Sequence, residues 1–298
     1  MKKLWIVLIA MGVAACQPGE EAAAPAVALE ETPATPASAG LLADVLAAMP
    51  EEFKQRYAHR HPQETLEFFG IEPGMTVVEA LPGSGWYTRV LLPYLGPEGR
   101  LIGANYAMDM WPNFAFANEA FMESQRNWAR DFPAVAEEWR GANGATVTAF
   151  NFGAMPGELA GTADAVLFVR MLHNLARFES EGGFLTEAMA DAYNVLKPGG
   201  ILGVVQHQAR DEMSDEFADG SRGYLKRAFV LAAAAAAGFE FVAESDINAN
   251  PADQPGEDEV VWRLPPSLAG TEENSEARVA MMAIGESHRM TLKFRKPE

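Results

Sequence analysis

Residues 77–88, VVEALPGSGWYT, decide how the rest of the chain is read. An apolar run carrying Glu79 breaks into Pro82-Gly83-Ser84-Gly85 and restarts at Trp86 and Tyr87. Residues 75–81 have the length and composition of a buried strand, and 86–96, closed by Gly96, read as a helix. A strand, a glycine turn and a helix place backbone N–H groups at the carboxyl edge of a sheet, where open α/β sheets bind ligands. Gly83 and Gly85 let a ligand approach the backbone closely, and Glu79 can accept hydrogen bonds from an ammonium or hydroxyl group.

Outward from this unit, helical and strand patterns alternate. Further strands are expected at 100–106, 145–152, 163–172, 201–207, 239–246 and 288–296. Helices are expected at 114–140, 184–196 and 224–238, with shorter pieces before residue 70. The pattern predicts an α/β fold: a Rossmann-like seven-stranded sheet, mostly parallel, with an antiparallel terminal strand and helices on both faces. Residues 247–287 lack an obvious helix and read as a long polar, solvated loop, a lid or a partner surface. Their carboxylates do not match the spacing of an EF-hand loop, which leaves calcium a minor expectation there.

Composition narrows the function. The 298-residue chain has a formal net charge of −18, which repels phosphate backbones, so nucleic acid is not expected as a partner. The single cysteine, Cys16, excludes a His/Cys zinc set. The glycine turn lacks the spacing of a nucleophile elbow or of a P-loop, and matches a dehydrogenase fingerprint poorly, with Thr88 and Asn105 where that pattern needs glycine and an acid.

The start, MKKLWIVLIAMGVAAC, has a basic Lys2-Lys3 pair and an apolar stretch at 4–15 too short to remain as a membrane-spanning helix. It resembles a bacterial lipoprotein signal with Val13-Ala14-Ala15-Cys16 as the lipobox. The resemblance implies cleavage after a signal peptide at 1–15, acylation of Cys16, and contact with the lipid bilayer through that acylated residue alone. Gln17 resembles the pattern sorted to the outer membrane, so the expected location is the periplasm-facing cell envelope. Residues 16–40, rich in Ala, Pro and Glu, read as a disordered tether to one domain at 41–298.

The strand order, with VVEALPGSGWYT, ADAVLFVRMLHN at 163–174 and LKPGGILGVVQH at 196–207, resembles class I S-adenosylmethionine-dependent methyltransferases. More closely, RHPQETLEFFGIEPGMTVVEALPGSGWYT, HN at 173–174, AGFEFVAESD, NPAD and the closing LKFRKP resemble a group of predicted methyltransferases of bacterial envelopes. The resemblance covers about residues 50–298 and implies S-adenosyl-L-methionine as cofactor and a small-molecule acceptor. It assigns Glu79, Pro82, Gly83 and Gly85 to the cofactor loop. Asn105 stands where the family usually has an acid for the ribose hydroxyls, and Leu81 replaces the first glycine of its motif. The alternative is a non-catalytic ligand- or partner-binding protein on the same scaffold. A Leu81 side chain filling the adenosyl site favours binding alone; Leu81 turned away, with Glu79 facing an open cleft, favours the enzyme.

Remaining candidates keep two readings each. His173 and His207 are candidate catalytic residues, His173 as a base toward the acceptor, or they are packed strand-end histidines. Asn174 sits beside His173 at the same edge. Trp86 and Tyr87 either shape the cofactor pocket or pack the helix onto the sheet. Trp111, Phe114, Phe116, Phe121 and Trp128 form either a lid over an acceptor pocket or ordinary core.

Overall fold

Successive residues of strand β1 (Thr76–Ala80) enter different cores. Val78 and Ala80 join one hydrophobic cluster and Val77 joins another, because side chains alternate across a strand and both faces of this sheet are covered. The same division recurs on its neighbours, with Ile102 and Ala104 on one side and Leu101 on the other.

The protein is represented by a computed structural model that describes residues 36–298. Cys16 and the whole signal segment lie outside the described residues. Four helices precede the sheet: α1 (Pro36–Ala48), α2 (Glu51–Lys54), α3 (Tyr57–Arg60) and α4 (Pro62–Phe69). After β1 come α5 (Thr88–Leu95), β2 (Arg100–Asn105), α6 (Glu119–Arg140), β3 (Thr146–Asn151), β4 (Ala163–Val169), α7 (Leu172–Arg177), α8 (Glu179–Gly182), α9 (Phe184–Val195) and β5 (Leu196–Ala209). The chain ends with β6 (Leu225–Lys226), α10 (Arg227–Ala236), β7 (Glu240–Ser245), α11 (Glu276–Ile284) and β8 (Arg289–Arg295).

The sheet runs β3-β2-β1-β4-β5-β8-β7, with the two-residue β6 beside β5. β1 to β5 pair in parallel, and β8 inserts antiparallel between β5 and β7. The expected α/β fold is therefore present, and its strand order reverses between β1 and β4. At that reversal the connections leave the sheet in opposite directions and open a crevice at the carboxyl ends.

Local chemistry sets the element ends. Pro62 opens α4, and Gly70, at φ 74°, closes it in a left-handed conformation that an L side chain resists. Asn118 caps α6 by accepting the Phe121 N–H at 3.0 Å, so this helix starts later than the aromatic run predicts. β4 ends at Val169; Arg170 turns the chain at φ 58°, and His173 sits in the first turn of α7 rather than at a strand end. Likewise Trp86 and Tyr87 precede α5 instead of beginning it.

The segment 247–287 departs most from expectation. It contains α11, capped by Ser275, and near its start Asn248 and Asp253 are buried rather than solvated. Asn248 donates to Thr65 and Thr291, each at 3.0 Å. Asp253 accepts from Arg263 at 2.8 Å and from Tyr224 at 3.0 Å, so this carboxylate serves an internal ion pair instead of a calcium loop. Asn250 closes the clasp by donating to the carbonyls of Ile284 and Glu286. Polar partners hold the start of this segment, and Val261, Leu264 and Leu268 are buried further along it.

Candidate functional site

The turn after β1 is held by its backbone. Leu81, Gly83 and Gly85 have φ values of 51°, 58° and 78°. For Leu81 this left-handed conformation is strained. It is fixed by the Leu81 N–H, which donates to the Ala104 carbonyl on β2 at 2.7 Å, while the Gly85 N–H donates to Pro82 at 2.9 Å. Trp139 of α6 closes over Gly85, where a Cβ atom would lie 2.3 Å from the indole.

Glu79 lies under this turn. It is buried, and its carboxylate accepts from Thr88 Oγ1 at 2.7 Å. Burial pushes its carboxyl up to about 7, against the opposing hydrogen bonds from Thr88. Trp86 and Tyr87 are buried beside the turn on the far side: Trp86 packs edge-on against Tyr57 and Tyr87 and receives the Arg60 guanidinium at 4.7 Å from its ring centre.

A cavity of about 610 Å³ opens at the carboxyl ends of β1, β2 and β4. Leu81, Pro82 and Gly83 form one wall and Asn105 and Tyr106 the next; Asn174 and Arg177 of α7 face them. The roof consists of Trp111, Phe114, Phe116, Phe121 and Trp128, so the aromatic run takes part in a cavity wall as well as in packing. Trp111 and Phe121 meet edge to face at 5.1 Å, as do Phe116 and Phe121 at 5.3 Å. The Trp111 indole N–H is buried in this wall with no protein acceptor.

Polar atoms on the wall are mostly engaged. Asn105 Nδ2 donates to Gln125 at 2.9 Å, and Asn105 Oδ1 accepts the Tyr106 N–H at 2.9 Å. Asn174 Nδ2 donates to the Tyr106 hydroxyl at 3.2 Å, and that hydroxyl donates to the Met171 carbonyl. Arg177 is exposed, and among the described residues no carboxylate lines the cavity.

Of the residues singled out in the sequence, Leu81, Pro82, Gly83, Asn105 and Asn174 meet at this cavity together with the aromatic set of the roof. Glu79, Gly85, Trp86, Tyr87, His173 and His207 lie outside its lining. His173 is buried behind Trp262, 5.8 Å between ring centres, and Trp262 itself lines the cavity. Burial, then the charges of Arg170 and Arg177, outweigh the Gln206 contact and lower the His173 pKa to about 4, so its ring is neutral at physiological pH. His207 packs 5.6 Å from His173, with Nδ1 2.5 Å from Ser287 Oγ, and burial likewise holds it well below its ordinary pKa. Four wall residues carried no motif: Tyr106, Gln125, Arg177 and Trp262. Gln125 follows Phe121 by one helical turn, a spacing that places both on one face. Trp262 comes from the long C-terminal segment and gave no local signal.

No protein-family model matches the chain, and no curated protein matches it. Among solved structures it is similar to an S-adenosylmethionine-dependent methyltransferase from Aquifex aeolicus, with 14% identity and TM-score 0.47 over 83% of this chain and 98% of that one. It is also similar to the [4+2]-cyclase SpnF, with 17% identity and TM-score 0.49 over 82% of each chain. A third similar structure is geranyl diphosphate methyltransferase in complex with S-adenosylmethionine, with 16% identity and TM-score 0.46 over 88% of this chain and 92% of that one.

Proposed function

We propose that this chain is an S-adenosylmethionine-dependent methyltransferase acting on a small-molecule acceptor. The observation that carries the reading is the 610 Å³ cavity above the Leu81–Pro82–Gly83 turn, at the point where the strand order reverses. Its size lies within the range of cofactor sites. The residues present fit the group: the aromatic walls suit an adenine ring, the exposed Gly83 offers backbone, and the Trp111 N–H is a buried donor without a partner. Pro82, Gly83 and Asn174 would hold the cofactor, which supplies an electrophilic methyl group on a sulfonium. The protein's part is then to exclude water and orient the acceptor against it. Neutral His173 stands behind Trp262 and fixes that wall.

A second reading is favoured by two observations. Leu81 forms part of the cavity wall instead of turning away from it, and Glu79 faces Thr88 rather than an open cleft. Together with the internal engagement of both Asn105 amide atoms, this suits a binding protein for an apolar ligand. Calorimetric titration of S-adenosylmethionine and its demethylated product separates the two. Micromolar binding supports the enzyme, and no binding at millimolar concentration supports the second reading.

For location, we propose lipid anchoring in the bacterial envelope through Cys16, resting on residues 2–16 of the sequence. Cys16→Ser is expected to abolish acylation, measured by mass spectrometry of the mature protein; a variant that still carries lipid refutes it.

A further inference from the structure

Four arginines converge on one carboxylate behind the sheet edge. Glu286 lies 3.0 Å from Arg60, 3.1 Å from Arg289, 3.3 Å from Arg56 and 3.7 Å from Arg170. The side chains of Glu286, Arg60 and Arg289 are almost fully buried, at 4%, 6% and 3% exposure. Among the described residues, no other carboxylate pairs with these arginines. In a chain of net charge −18, this spot therefore holds an uncompensated excess of positive charge.

The four guanidinium groups are not equivalent. Arg60 gives its Nε to both Glu286 oxygens, and Arg289 donates to Glu286 and to the His59 carbonyl. These two tie α3 to the start of β8. Among the described residues Arg170 has no side-chain hydrogen-bond partner; its Nε is buried, while the side chain keeps 24% of its surface open. It projects from the carboxyl end of β4, where the backbone takes φ 58°, a conformation a non-glycine residue seldom adopts without a reason.

We propose that Arg170, backed by the buried Arg60 and Arg289, is a binding site for an oxyanion, a phosphate or carboxylate group. A planar guanidinium with free N–H groups on an accessible side suits bidentate capture of such a group. The charges of Arg60 and Arg289 lie too deep for solvent to screen fully, which strengthens their pull on an anion. Burial, then the charges of Arg60 and Arg289, lower the Arg170 pKa against the opposing pull of Glu286, so the positive neighbours outweigh the one carboxylate. The nearby histidines, His173 and His207, are neutral and add no competing charge. The site is separate from the cavity lining and does not depend on methyl transfer.

The test uses the full chain and thermal unfolding. Inorganic phosphate is titrated against sodium chloride of matched ionic strength, with wild type, Arg170→Gln and, as a control on exposed α6, Arg126→Gln. The expected result is a saturable rise in Tm for wild type and Arg126→Gln, with Arg170→Gln responding about tenfold or more weakly. Without phosphate, Arg170→Gln should unfold at or above the wild-type temperature, because it removes one of four cations that share a single carboxylate. Tighter binding of glycerol phosphate than of inorganic phosphate would assign the oxyanion to a larger molecule; the reverse would assign it to free phosphate. A response equal to that of chloride, or one unchanged in Arg170→Gln, overturns the proposal. The readout needs no cofactor, so it stands or falls apart from the methyltransferase reading.

Discussion

Thr88 Oγ1 donates a 2.7 Å hydrogen bond to Glu79 Oε2 and so joins the end of β1 to the first residue of α5. The bond spans the glycine turn that contributes Leu81, Pro82 and Gly83 to the cavity wall. Glu79 contacts Thr88 and does not itself line the cavity.

Substitutions at Glu79 separate the hydrogen bond from the charge. Glu79→Gln keeps an acceptor for Thr88 and should retain S-adenosylmethionine affinity, whereas Glu79→Ala should lower it by more than about tenfold through a loosened turn. The folded-state pKa is raised from 4.5 to about 7, so stability falls as pH rises through that window. Glu79→Gln removes this loss, of order 3 kcal/mol at most, and should raise Tm at about pH 8 more than at about pH 5.

Leu81→Gly should relieve left-handed strain of about 1 kcal/mol while removing a half-buried side chain from the cavity wall. Net stability is expected to change by less than about 1 kcal/mol. Cofactor affinity should rise several-fold. Calorimetry and chemical unfolding on the same preparation measure both.

Gly85→Ala should be severe. The added Cβ meets the Trp139 ring at 2.3 Å, and φ 78° disfavours any L side chain. The two effects together should cost about 2–5 kcal/mol. Adding Trp139→Leu should restore part of that loss and leave the backbone strain, as read from urea midpoints.

Glu286→Gln should be among the most destabilising single changes in the C-terminal segment, by roughly 3–5 kcal/mol, because it strands buried guanidinium groups without a counter-charge. Burial works to raise the Glu286 pKa, but Arg60, Arg289 and Arg170 outweigh it and hold it below its ordinary value. Its stabilisation is therefore complete above the ordinary carboxylate pKa and is lost as pH falls through the lowered folded value. His173 acts in the same direction, since the unfolded chain takes up its proton near 6.5 and the folded one only at about 4. Acid titration of wild type should thus unfold the domain earlier than a His173→Gln variant would.

Much of the fold was legible because its signals are local. The 77–88 stretch announces strand, turn and helix through a short apolar run and paired glycines. The alternation that followed named the strands that now pair in the sheet. The boundaries that moved were those set by single polar contacts, as at Asn118, or by one strained residue, as at Arg170. The clasp of Asn248 and Asn250 was not legible, because their partners lie far away in the chain, from Thr65 to Thr291.

By itself, the sequence determined the α/β class, the glycine turn and the aromatic run before α6, since periodicity and φ-permissive residues act over a few neighbours. Only the tertiary structure decided where side chains point and which of them meet. It turned Glu79 onto Thr88, drew Asn105 to Gln125, closed the aromatic roof over Gly83, and gathered Arg56, Arg60, Arg170 and Arg289 around Glu286. Those arrangements come from long-range packing, which fixes rotamers and charge partners that no local spacing encodes.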